Sequence, residues 1–113
     1  MATKTERRHT AGFISSEANG NRSRAVVTVK ASALSSGLAS GTIMGTLSGG
    51  GYGAYDNSDP AAAAGILIEE LDASSADVSA TLIVRDAEVN TDELTGSDAN
   101  GKTDLEALGI VYR

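Results

Sequence analysis

The chain has 113 residues, room for one domain of the usual ~100 to 200 residues, and its Val, Ile, Leu and Phe number only 23, which excludes a large core. It has no cysteine, so disulfide stapling and thiolate chemistry are excluded, and no apolar run near the ~18 residues of a membrane span. The net charge of −6 is divided between a basic segment 1–30, six basic against two acidic groups (+4), and an acidic remainder 31–113, three against 13 (−10); such a division is expected when an arm works separately from a body.

Residues 1–23 are polar and small, with Phe13 and Ile14 the one large apolar pair after Met1. Their basic residues are not followed by an apolar stretch, so no secretory signal is expected and the protein is expected to be soluble. Such a segment buries too little to offset the ~1 to 2 kcal/mol per residue that ordering a backbone costs. It is expected to be ordered only by a partner. Arg24–Lys30 (RAVVTVK) alternates as a strand, with Ala25, Val27 and Val29 on one face. It could add to the exposed edge of another protein's sheet or pair within its own domain, and both readings stand at this point. The Ser- and Gly-rich stretch 31–40, with Leu34 and Leu38 embedded, reads as a loop.

Gly41–Leu47 has the period-two pattern of a strand, followed by a glycine-rich turn, Ser48–Gly53. Ala63–Leu71 is almost continuously apolar as far as Glu69 and wants cover on both faces, from its own core or from another chain. Asp72–Asp77 is a turn of side chains that bond back to the backbone. Val78–Arg85 alternates again as a strand, and Ala87–Leu94 reads as a short strand or extended segment. Thr95–Lys102 is a loop. Thr103–Leu108 reads as a short helix, with Thr103 and Glu106 as a capping-box pair and Gly109 at the left-handed position after it; Ile110–Tyr112 returns as a closing strand. The expected fold is mainly β: a small β-barrel-like or β-sandwich-like domain over residues 31–113, with one short helix, preceded by an extended N-terminal arm over residues 1–30. So thin a core, rich in alanine and glycine, also predicts an oligomer.

Catalytic chemistry finds little support. The single histidine, His9, lies in the arm, where no partner holds it for proton transfer. The Gly-rich turn lacks the Lys-Ser/Thr that completes a phosphate-binding loop. If Gly101 is placed at the invariant glycine of a calcium loop, Gly96 falls at the first ligand position and Ala107 at the last, where a bidentate Glu is required, so the register fails. The basic arm could contact phosphates, yet no aromatic is interleaved to stack bases and the acidic body repels a polyanion. Nucleic-acid binding through the arm is nonetheless the alternative function, tested by steeply salt-dependent DNA binding; a metal-dependent hydrolase, silenced by a chelator, is a third reading. Tyr52 and Tyr55 read as core or subunit-interface aromatics.

Taken together, Glu17–Val29 (EANGNRSRAVVTV), Gly41–Leu47 (GTIMGTL), Gly51–Asp56 (GYGAYD), Ala63–Ser74 (AAGILIEELDAS), Leu82–Asn90 (LIVRDAEVN), Leu94 and Leu105–Arg113 (LEALGIVYR) resemble, in order and spacing, the head decoration proteins of lambda-type tailed phages. No one of these motifs is specific; the ordered series carries the resemblance over nearly the whole chain. It implies a β-rich domain that forms trimers on the outside of the expanded capsid, at its local three-fold positions, where the arm contacts the major capsid protein and the trimers cement the shell. It implies no enzymatic role, no cofactor or metal, no small-molecule substrate, no membrane and no direct nucleic-acid contact, and it places the protein in the virion after synthesis in the host cytoplasm. On this reading Phe13, Ile14, Arg22, Arg24, Ala25, Val26, Val27, Thr28 and Val29 are the candidate capsid contacts, with the two arginines facing an acidic capsid surface. Tyr52, Tyr55, Gly65, Ile66, Leu67 and Ile68 are the candidate trimer interface.

Overall fold

A computed structural model describes residues 14–17, 23–56, 62–96 and 98–112. Eight strands are found among them: β1 (Ile14–Glu17), β2 (Arg24–Val29), β3 (Ile43–Thr46), β4 (Tyr52–Ala54), β5 (Gly65–Leu67), β6 (Val78–Ile83), β7 (Ala87–Val89) and β8 (Ile110–Tyr112), with one helix, α1 (Ala99–Glu106). Five of the strands close a barrel in the order β2-β4-β3-β5-β6, and the other three form a sheet in the order β1-β7-β8. Barrel, short helix and mainly β content are as the residue pattern predicts.

The apolar run through β5 explains how the two layers meet. Successive strand side chains point to opposite faces, so Leu67 packs inward with Met44, Leu82, Val29, Leu34 and Ala80 to fill the barrel. Ile66 and Ile68 point outward with Ile43 and Ile83, against Ala87, Val89, Leu105 and Ile110 from the sheet and helix that cover this side. The cover that the run demands on both faces is thus supplied within one chain. Each fully buried Leu or Ile adds roughly 1.5 to 3 kcal/mol of transfer free energy.

Several local expectations shift. The helix begins at Ala99, four residues before the expected Thr103, because the Asp98 carboxylate caps it by accepting from the Gly101 N–H at 2.7 Å. Thr103 therefore lies inside the helix and its hydroxyl donates to the Ala99 carbonyl at 3.0 Å; the Thr103–Glu106 capping box does not form. Gly109 does take the left-handed position, at φ +84°. The stretch 31–40 is more than a loop: it opens with a 3-10 turn at Ala31–Ala33, and Leu34 is fully buried as a plug of the barrel interior. The closing strand β8 joins the second sheet, parallel to β7, rather than the barrel.

The N-terminal region is also changed. β2 pairs with β6 over its whole length, from Arg24 opposite Ile83 to Val29 opposite Val78, so it is built into the barrel wall. β1 pairs antiparallel with β7, Ile14 opposite Val89, and Ile14 packs against the outer core. The reason is apolar area: Val27, Val29 and Ile14 gain more from the two cores than from solvent. Phe13 and Arg22 lie outside the described residues.

Candidate functional site

The structure separates the residues singled out in the sequence. Ile66 and Leu67 are fully buried, Gly65, Tyr55 and Ile68 are buried too, and their side chains are spent on the chain's own cores. Within this one chain, Leu67 belongs to the barrel core and Tyr55, Ile66 and Ile68 to the outer one. Of the expected trimer residues only Tyr52 reaches the surface, where it is half-buried.

Arg24–Val29 are brought together as one strand with an unusual second edge. The Val84 N–H donates to the Ser23 carbonyl at 2.8 Å, and the Ile68 N–H donates to the Thr81 carbonyl at 3.2 Å. These two bonds set the parity of the ladders: Ser23, Ala25, Val27 and Val29 bond to β6, whereas the peptide groups of Val26 and Thr28 turn away from it. On that far side, closure to β4 is made only at the end of the strand, where Val29 stands beside Tyr52 and the Lys30 N–H donates to the Tyr52 carbonyl at 3.0 Å. The Ser48–Gly51 turn precedes β4, with positive φ at Gly50 (+96°) and Gly51 (+73°), and Gly51 lies against Lys30 and the Thr28 carbonyl; no ladder continues from there toward Val26. The barrel is therefore closed at one end of the β2–β4 seam and parted at the other.

Val26 sits at the middle of the parted stretch with 73% of its surface exposed. Beside it, on the inner side of β2, lies a groove of about 460 Å³ bounded by Ala25, Tyr52, Ala62–Ala64, Val84, Ala107 and Leu108, with Arg85 and Asp104 at its rim. Five of its ten lining residues are alanine, and Tyr52, Val84 and Leu108 are the larger apolar ones. The exposure of Val26 could be read from no periodicity: a strand with Val on both faces looks buried on both until its neighbours are known.

Two polar joints hold the surroundings rigid. At the closed end of the seam, Asp77 accepts from the Ala31 N–H at 2.8 Å and from Lys30 Nζ at 2.9 Å. The backbone bond first, and the ammonium next, hold its carboxyl below the usual carboxylate range. Beyond the groove, the Tyr55 hydroxyl donates to Asp98 at 3.0 Å and Asp104 accepts from the Ala63 N–H at 3.0 Å, so that α1 is pinned to the barrel by its own carboxylates. Lys102 lies 5.5 Å from the ring centroid of Tyr112 and ties the helix to β8. Among the described residues no group of His, Cys, Asp and Glu is arranged to hold a metal ion, and no helix is long and apolar enough to cross a membrane.

A binding surface built of a backbone edge and an apolar groove suits a macromolecular partner more than a small substrate. The family model of the bacteriophage lambda head decoration protein D matches residues 3–110. The chain belongs to this family. A head decoration protein is a structural component of the phage capsid, and association with the capsid follows from membership. Comparison with curated proteins and with solved structures finds no match. For a decoration protein, the carboxylate joints around α1 are structural supports, and the open seam of β2 becomes the surface of interest.

Proposed function

We propose that this decoration protein binds the outside of the expanded phage head as homotrimers and stabilises the shell, with its N-terminal arm pairing with the major capsid protein. The observation that carries the reading is the family match over residues 3–110, which spans the arm as well as the body. The division of charge, +2 over residues 1–23 and −8 over the rest, supports an N-terminal arm that works separately from the acidic body. Phe13 provides an apolar anchor next to the core-packed Ile14, Arg22 and Arg24 face acidic capsid groups, and β2 meets the shell along its outward side at Val26 and Thr28, backed by Ala25, Val27 and Val29. Trimer contact uses the surface at Tyr52, with Tyr55 and Gly65–Ile68 supporting it from behind.

Trimerisation converts weak arm docking into durable clamping. Once one arm is seated, the other two act at high effective concentration, and avidity adds roughly 10² to 10⁴ over a single arm.

The test is co-sedimentation of the full chain with expanded, undecorated shells and with unexpanded ones, beside a chain lacking residues 1–13. Saturable binding to expanded shells alone, weakened on truncation, is expected. Light scattering of the free and the shell-released protein reads the trimer. Equal binding by the truncated chain would remove the arm from the mechanism, and no binding to any shell would overturn the decoration role and favour a DNA-binding assay.

A further inference from the structure

We infer that the parted edge of β2 is an acceptor for an extended segment of the capsid shell, which adds as a strand at Val26 and places an apolar side chain in the groove beside Ala25. The inference rests on the decoration reading and extends it. In the proposed function the arm engages the capsid; here an edge of the body receives a strand from it.

Three observations converge on the site. The N–H and C=O of Val26 and the N–H of Thr28 face away from β6 and have no partner among the described residues. Sheet edges are ordinarily guarded by Lys, Pro, a bulge or a covering element, because unpaired peptide groups template pairing with another chain; here the edge presents a valine that is 73% exposed. Finally, the groove of about 460 Å³ adjoins the same edge on the opposite face of the strand. Strand side chains alternate between faces, so a segment laid along β2 sets one residue beside Val26 and the next over Ala25, into the groove. Backbone bonds would supply affinity, and the alanine-rich groove would select an aliphatic residue at alternate positions.

The capsid is the occupant that family membership supplies, since a head decoration protein has the head as its partner. The edge also follows closely on the N-terminal region in sequence: β1 ends at Glu17 and β2 begins at Arg24, seven positions on, so the chain between them spans at most ~25 Å. A capsid subunit gripped by the arm is thereby kept near the edge.

The test is amide exchange, read at single residues, on the full-length protein free in solution and bound at saturation to expanded shells. In the free protein the Val26 and Thr28 amides are expected to exchange fast while Ala25 and Val27 are protected by β6; binding should slow the former by about tenfold or more. Unchanged exchange at Val26 and Thr28 in protein that is bound would overturn the inference and leave the decoration role intact. Failure of the protein to bind shells at all would overturn both. Protection of these amides already in the shell-free oligomer would assign the edge to a second copy instead and overturn the capsid assignment. As a second arm, Val26→Pro deletes the outward N–H without touching the β6 ladder. If its melting temperature is retained, shell binding should weaken about tenfold, the equivalent of one good hydrogen bond and its lost contacts.

Discussion

The Tyr55 hydroxyl donates to Asp98 at 3.0 Å, and the oxygen that receives it, Oδ1, also accepts the Gly101 N–H at 2.7 Å. One carboxylate oxygen thus caps α1 and fastens it to the strand side of the barrel. The joint puts a neutral phenol against a negative charge, and that has a measurable consequence. Burial, then the hydrogen bond to Asp98 and the charges of Asp98, Asp104 and Asp56, push the Tyr55 pKa up to about 12. A raised phenol pKa means that the native state prefers the proton, so the contribution of Tyr55 is fully present below its unfolded value near 10 and is lost as pH rises through the folded one. Spectrophotometric titration of the native protein should show a phenol ionising near pH 12, absent in Tyr55→Phe. Stability should fall between about pH 10 and 12 in the parent more steeply than in the variant.

Gly101→Ala inverts the usual helix rule. Ala in place of Gly within a helix ordinarily gains about 1 kcal/mol, but a Cβ at this position would stand 2.8 Å from Cε2 of Tyr55 and 3.2 Å from Oδ1 of Asp98. A ring held by its own hydrogen bond cannot swing aside cheaply. The expected outcome is destabilisation of about 1 to 3 kcal/mol, read by urea unfolding.

Ile66 and Leu67 are sequence neighbours with no exposed surface, yet they belong to different cores. Truncating either to Ala should cost about 2 to 5 kcal/mol. Because the sites share no packing partner beyond their common strand, the double variant should come close to the sum of the two in denaturant midpoints. A large shortfall from additivity would mean that the two cores are mechanically one.

Asp77→Asn tests the closed end of the barrel seam. The carboxyl of Asp77 is held below its ordinary range by the Ala31 N–H and then by Lys30. A depressed acid contributes stability above its unfolded pKa, near 3.9, and loses it as pH falls through the lower folded value. Melting curves at pH 7 and below pH 4 should therefore show the gap between parent and Asn variant narrowing in acid.

Much of this protein was determined by its sequence alone. Alternation in Arg24–Lys30, Gly41–Leu47 and Val78–Arg85 marks three barrel strands, because the period of two is a property of the backbone. The two-sided apolar run at Ala63–Leu71 marks a strand buried on both faces, and the ordered series of short motifs carries the family. Tertiary structure alone decided the rest. The helix starts at Ala99 because the capping Asp98 carboxylate also finds Tyr55, a residue 43 positions away, and no local pattern of Thr103 and Glu106 can compete with a joint that also packs the outer core. Whether Gly65–Ile68 faced another subunit or a second layer of the same chain depended on where β7, β8 and α1 came to rest. The open edge at Val26 depended on how much of β2 is paired by β4, which meets it only at Val29 and Tyr52. Edges are relations between strands, and a one-dimensional pattern specifies faces but not neighbours.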